Sequence, residues 1–435
     1  MLRPRIVILG AGFGGMYVAK RFKRLAKKGL IELTIINRTN YFLFTPLLHE
    51  VATGGLNPRN VAEPIREVFA GTPVRVVQAA VESIDTEKRI VTVSAHNETT
   101  EIPYDYLVIA TGAETNYYGI PGASEHTLPL KNLADAARIR SEIIDAFEHA
   151  VLAQSEEERR ELLSFAIVGG GATGVELAAE LSDFVQGMIK RYYRKTHCAP
   201  SEPGHCRSEE AAITLIHTGK ELLEMFVPSL RKASERRLIK SGVVLRLGST
   251  VTEVMPDGLR LADGTFVIAS TTVWTAGVKA IVPRFAGEQP ALSGSRLIVD
   301  EFFRLQGHER IFALGDAAGY VDTHAFKKDS KNTRPVPMLA QAAVLETKIV
   351  TANILASIRR KPLFTFQYKP KGAMVSVGQW FAIGEIYSLH IAGWFTWWLW
   401  RTVYLFKFAS WQKRIRIMIE WTLDIFFPRD ITKLM

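Results

Sequence analysis

Cysteine is almost missing from this sequence. The 435 residues include two, Cys198 and Cys206. That excludes a disulfide framework and makes a reducing compartment the default. Long apolar runs are missing too. The longest uncharged stretch near the C-terminus, Ile386–Trp400, falls short of the ~20 residues a membrane-spanning helix needs. Met1-Leu2-Arg3-Pro4 leads straight into a short apolar strand, with neither a secretory core nor an Arg/Ser-rich leader, so the chain is expected to stay in the cytosol where it is made. No solenoid-length repeat and no low-complexity block occur. His197-Cys198 and His205-Cys206 bracket a six-residue Pro/Gly-containing segment, but adjacent ligands strain a tetrahedral site and the spacing fits no zinc module, so no metal is expected. The net charge is +10 and the pI near 9.4. Without a zinc finger or an RNA-binding aromatic motif, nucleic acid is not an expected partner, which leaves anionic lipid and phosphorylated cofactors.

Two glycine-rich patterns are present instead. Arg5–Leu9 is an apolar run of strand length, Gly10-Ala-Gly12-Phe13-Gly14-Gly15 follows at once, and Met16–Leu25 has helical periodicity. Strand, G-x-G-x-x-G and helix in succession is the context a dinucleotide site requires. Gly10 permits the tight turn, Gly12 lets backbone approach a pyrophosphate, and Gly15 lets helix and strand pack closely; the helix N–H groups hold the phosphate. The next strand, Ile31–Ile36, ends in Asn37 and Arg38 where an acid for the ribose is usual. Asn37 can still accept a hydrogen bond.

The pattern returns after the strand Ser164–Val168 as Gly169-Gly-Gly171-Ala172-Thr173-Gly174, with a helix expected over Val175–Phe184 that includes Glu176 and Glu180. Two complete fingerprints imply two dinucleotides and electrons passed between them. The following strand ends in His217, again without an acid. NADH is expected because no arginine sits there for a 2′-phosphate, although His217 and Lys220 leave NADPH open.

On these residues the chain resembles the two-dinucleotide-binding-domain flavoproteins, and among them the type II NADH dehydrogenases. Tyr41-Phe-Leu-Phe-Thr45-Pro46-Leu47-Leu48 is similar to the family's segment beside the flavin. Tyr104–Gly112 resembles the strand and Ala110-Thr111-Gly112 turn that close the FAD domain, and Val273-Trp-Thr-Ala276-Gly277 its counterpart for the nicotinamide. Arg310–Asp316 resembles the strand whose Gly315-Asp316 end holds the ribitol; Val81 joins the expected FAD contacts on the same basis. Pro337-Met-Leu-Ala340-Gln341 resembles the segment near the isoalloxazine and the quinone. The resemblance implies FAD and NADH as cofactors, a quinone as substrate, and catalytic roles for Glu176, Gln341 and Lys371. Where the family usually has a second glutamine, this chain has Leu345.

Six of the eight tryptophans fall between Trp394 and Trp421, a density suited to a membrane interface. In the last helix Lys413, Arg416, Glu420 and Asp424 form one charged stripe against a wide apolar remainder, as in a helix lying in the interface.

The expected architecture is α/β, with two Rossmann-type domains. An FAD domain takes residues 1–115 and 290–385, an NAD(P)H domain 116–289, and 386–435 form membrane-docking helices. The expected protein is a non-pumping NADH:quinone oxidoreductase, peripheral on the cytoplasmic face of a bacterial inner membrane, and a homodimer. An NADPH-preferring quinone reductase and an NAD(P)H-binding redox sensor are the competing readings.

Overall fold

The structure, a computed structural model, describes residues 3–193, 211–321, 335–408 and 410–433. The His/Cys insertion at 197–206 lies outside the described residues. Seven helices matter below: α1 (Phe13–Lys27), α2 (Leu48–Ala52), α3 (Leu133–Leu152), α4 (Ala172–Met188), α5 (Ala340–Ile358), α6 (Trp394–Lys407) and α7 (Trp411–Phe426).

The chain forms two compact units. One takes Met1–Leu43, Ala62–Glu114 and Val278–Pro370; the other takes Phe44–Val61, Thr115–Gly277 and Lys371–Met435. In the first, five parallel strands lie in the spatial order Ile311–Ala313, Tyr106–Ile109, Arg5–Leu9, Glu32–Asn37, Arg75–Gln78. Arg5–Leu9 is central and buried from Ile6 onward, as an unbroken apolar run is when helices cover both sheet faces. α1 begins at Phe13, earlier than its apolar periodicity suggests, because Gly14 and Gly15 are helical and buried. It packs on α5, where Arg21 Nε donates to Thr347 Oγ1 at 3.1 Å. An antiparallel meander, Ala80–Asp85, Ile90–Ala95 and Glu98–Pro103, precedes the strand Tyr106–Ile109.

The second unit repeats this plan. Its parallel order is Leu128–Pro129, Thr271–Trp274, Ser164–Val168, Ala212–His217, Val243–Leu247. A meander of Val251–Met255, Gly258–Leu261 and Phe266–Ile268 again precedes the strand beside the central one. Val168, Ile216, Val254, Leu259 and Trp274 are buried together in one core cluster. The duplication therefore extends well beyond the glycines.

The antiparallel strands Ala373–Ser376, Ala382–Ile386 and Leu389–Gly393 lead into α6 and α7. Among the described residues no helix is long and apolar enough to cross a membrane. The charged stripe of α7 turns inward. Lys413 Nζ donates to the Arg59 carbonyl, Glu420 accepts the Asn57 N–H at 3.1 Å, and Asp424 accepts from Arg429 Nε at 3.2 Å. Arg416, the fourth member, stays exposed. These charges satisfy backbone and tail groups of the same unit, which leaves Trp411, Ile415, Met418, Ile419 and Phe426 facing out.

Arg429 anchors the chain's end. Its Nη2 donates to Glu180 on α4 at 2.6 Å and its Nη1 to Thr53 Oγ1, just after α2, at 3.1 Å. Arg140 on α3 donates to the Asp430 carbonyl at 2.5 Å. The substitution Arg429→Met strands two buried carboxylates without their cation, which typically costs about 3–5 kcal/mol. Thermal melts of the holoprotein are expected to show a drop of several degrees. An unchanged midpoint would mean that the tail does not brace the unit.

Candidate active site

In the first unit the glycine loop is closed at two points and open at one. Gly10 has φ +93°, and a Cβ there would lie 2.2 Å from the Ala110 carbonyl oxygen; one on Gly15 would lie 1.9 Å from that of Gly10. Gly12 caps α1, and a Cβ there would meet nothing within 4 Å. A pyrophosphate fits that open side against the first N–H groups of α1. Gly14 makes ordinary contact with Leu314, and Phe13 stands edge-on to Phe42 at 5.1 Å. Asn37 is built into the loop: its Oδ1 accepts the Ala11 N–H at 2.9 Å and its Nδ2 donates to the Thr39 carbonyl. One lone pair of the oxygen expected to meet the ribose is therefore already used. Arg38 is exposed beside it, and Val81 is half-buried at a register shift of its strand.

Thr111 donates to the Ile281 carbonyl at 2.5 Å, and the Ile281 N–H to the Gly112 carbonyl at 2.9 Å, which pins the Ala110-Thr111-Gly112 turn. Gly315 and Asp316 form a single 3-10 turn after Ile311–Ala313, while Ala340 and Gln341 open α5. A residue not anticipated joins them. Glu346 Oε2 accepts the Gly315 N–H at 2.6 Å. Burial pushes its carboxyl up to about 7, with the Gly315 N–H opposing and Asp316 adding to the rise. The available signal was that Glu346 and Lys348 are the only charged residues of α5.

The second loop follows the first. Gly169 has φ +121° with Thr275 Oγ1 2.7 Å from a would-be Cβ; a Cβ on Gly174 would lie 1.8 Å from the Gly169 oxygen; Gly171 is open and caps α4, which begins Ala172-Thr173. Gly170 is equally constrained, since the His217 ring would sit 2.6 Å from its Cβ. Gly277 (φ +89°) lies against the Tyr118 hydroxyl, and Trp274 Nε1 donates to the carbonyls of Asn116 and Ala276. Burial lowers the His217 pKa, which favours the neutral ring, and Glu224 is the acid beside it. An acid thus does stand at this strand end, supplied by the loop and not by the strand.

Glu176 lies near the start of α4 in a crowded polar interior. Thr45-Pro46-Leu47 makes one 3-10 turn that delivers His49 and Glu50, both buried, on α2. His49 Nδ1 is 3.6 Å from Glu176 Oε2, and Glu176 Oε1 accepts the Ser376 N–H at 3.3 Å. Burial raises Glu176 well above the usual carboxylate range, while burial drives His49 down to about 4. The two therefore face each other as neutral acid and neutral imidazole, not as an ion pair. His49 Nε2 is buried without a hydrogen-bond partner among the described residues. Along α4, Glu180 is held low by Arg429 against its burial, and Asp183, which accepts the Gln379 N–H at 2.6 Å, is raised by burial to about 6. Glu50, raised by burial to about 7, accepts from Trp421 Nε1 at 2.6 Å. Lys371 is exposed at the head of the strand whose last residue, Ser376, meets Glu176. Sequence reasoning missed His49, Glu50, Asp183 and Arg429, because their partners are distant in the chain.

Comparison with known proteins agrees with the fold. The pyridine nucleotide-disulphide oxidoreductase family matches residues 4–347, and the NDH2 C-terminal domain matches 371–430. The chain is 32% identical to a probable NADH dehydrogenase of Dictyostelium discoideum, over 98% of this chain and 91% of that one. It is 31% identical to the type II NADH:quinone oxidoreductase Ndh of Mycobacterium tuberculosis, over 98% and 89%. The solved structure of NDH2 from Plasmodium falciparum in complex with NADH has the same fold, with a TM-score of 0.89 at 22% identity over 99% of this chain and 100% of that one.

Two expectations follow. Gly174→Ala drives a methyl into the Gly169 carbonyl and should cost upward of ~4 kcal/mol, seen as loss of soluble folded protein. Gly171→Ala should keep the melting midpoint and weaken nucleotide binding in a titration; matching behaviour of the two variants would contradict the open and closed assignment. Separately, the raised Glu346 carboxyl contributes stability below its unfolded pKa that is lost as pH rises through about 7. Glu346→Gln should remove that slope, so that the variant gains on the wild type between pH 4.5 and 7.5 by roughly 3 kcal/mol at most. Parallel melting curves across this range would count against it.

Proposed function

The chain belongs to the pyridine nucleotide-disulphide oxidoreductases, in the type II NADH dehydrogenase branch, and we propose that its two units divide the reaction, the first holding FAD and the second NADH. The activity is FAD-dependent NADH:quinone oxidoreduction. The observation that carries the division of labour is the repeated sheet, each copy with one open helix-capping glycine, Gly12 and Gly171.

When bound, FAD supplies the two-electron chemistry, from hydride donation by NADH to reduction of the quinone. The chain's residues hold and tune. Gly12 and the N-terminus of α1 receive the FAD pyrophosphate, Gly171 and α4 that of NADH. Asp316 serves the ribitol. Glu224 disfavours a 2′-phosphate by its charge and supports NADH; the exposed Lys220, beside His217, favours NADPH as a second reading. Quinone reduction takes up two protons, and Glu176, kept protonated by burial beside His49, is a carboxyl able to hold one at Oε2. Gln341 is the proposed amide on the quinone side, and Lys371 the proposed cation for negative charge on the reduced ring.

The enzyme docks peripherally on a membrane through α6 and α7. Support comes from α7, whose charges turn to the protein and whose aromatic and aliphatic residues turn out, an arrangement that suits lipid and not water. Part of that face is also available to a second copy of the chain.

Anaerobic stopped-flow absorbance near 450 nm tests the reading. NADH should bleach the flavin of the purified protein, NADPH more slowly, and a short-chain quinone should restore it. Glu176→Gln should slow the quinone step by roughly 10²-fold or more and leave the first bleaching intact. A flavin that bleaches and ignores quinone overturns the acceptor assignment.

A further inference from the structure

One cation in the C-terminal helices is buried without acceptors for all its donors. Arg401 on α6 is 5% exposed. Its flat faces are covered by indoles, with Trp397 at 3.8 Å and Trp421 at 4.8 Å from ring centroid to guanidinium. Its edge is enclosed but unbonded: Nε and Nη1 are buried with no hydrogen-bond partner among the described residues. Donors on a buried cation are costly to leave unbonded.

The same side chain lines an open pocket of about 130 Å³ bounded by α6 and α7. Trp398, Leu405, Met418 and Ile425 give it apolar walls. The hydroxyls of Thr402 and Thr422 are spent on their own helices, on the carbonyls of Trp398 and Met418. Among the described lining residues, Arg401 therefore supplies the buried donors left unused. Trp398, Met418 and Ile425 are also exposed, so the pocket opens on the outward apolar face.

We propose that this pocket is a lipid site, which takes one acyl chain of a membrane glycerolipid with the ester carbonyl accepting from the Arg401 guanidinium. A neutral oxygen suits the site better than a phosphate, because Glu50, Glu180 and Asp424 already surround the guanidinium and their field opposes a further anion. A chain suits it better than a ring, since the walls away from Arg401 are mainly the apolar side chains of Leu405, Met418 and Ile425. The site rests on the membrane-docking reading above and assigns it a specific lipid contact.

The test uses the delipidated holoenzyme and phosphatidylcholine vesicles whose chains are brominated, so that a bound chain quenches tryptophan. Ester-linked lipid is compared with its ether-linked analogue, which keeps the phosphate and lacks the carbonyl. Wild-type protein should show about a tenfold preference for the ester lipid, the worth of one good hydrogen bond to a cation. Arg401→Met should erase that preference. Met418→Trp, which fills the pocket from its exposed rim and does not disturb the core, should erase it too while flotation with vesicles persists. Equal quenching by both lipids in the wild type means the pocket holds only water and overturns the proposal. Displacement of the ester lipid by a short-chain quinone overturns it as well and gives the site to the substrate. Absence of flotation in every vesicle would instead sink the docking reading itself.

Discussion

The second unit's polar interior depends on the pairing of Arg429 with Glu180. α4 carries Glu176, Glu180 and Asp183 on one buried stripe. Three carboxyls so close in a low dielectric cannot all be charged. The guanidinium decides between them: Glu180 is the anion, Asp183 is lifted to about 6, and Glu176 is lifted further by burial and by the negative charges beside it. His49 stays neutral between Glu176 and the Glu180–Arg429 pair. Burial sets the protonation state of the residue proposed to hold the proton, and the Glu180 charge that Arg429 sustains adds to it.

Stability alone does not account for such a pair. Well-packed apolar residues of the same volume often match or exceed a buried ion pair. What they cannot do is assign charge. An apolar pair at 180 and 429 would fill the same space and leave Asp183 and Glu50 in a different field. The short α2 matters for the same reason, since it brings His49 and Glu50 to the stripe through one Thr45-Pro46-Leu47 turn.

The fold was legible in the sequence wherever structure is local. Strand, glycine loop and helix are contiguous, so both fingerprints and the sheets they open could be read directly, as could Gly10, Gly15, Gly169 and Gly174. What escaped depends on contacts between distant segments. Glu346 meets Gly315 from α5; Gly170 is forced by the ring of His217; the acid expected at the end of the second nucleotide strand comes from Glu224 in the loop beyond it. The charged stripe of α7 was read correctly as a stripe, but its direction was not readable. Helical periodicity says which residues share a face, not which way that face points.

That direction carries the main consequence of the C-terminal helices. A soluble helix normally buries its apolar face and hydrates its charges. α7 buries Ile417 and Trp421, but Asn57, Arg59 and Arg429 receive Glu420, Lys413 and Asp424, which leaves Trp411, Ile415, Met418, Ile419 and Phe426 exposed. Apolar surface left in water costs about 25 cal/mol per Å², so the arrangement is favourable only where the outward face meets something apolar. The inward side of the same helix holds Trp421, whose indole N–H bonds Glu50, the neighbour of His49 in α2. One helix thus presents apolar residues outward and, through Trp421, bonds Glu50 beside His49 with its other side. A displacement of α7 would act on Glu50 through Trp421 and on Arg429 through Asp424.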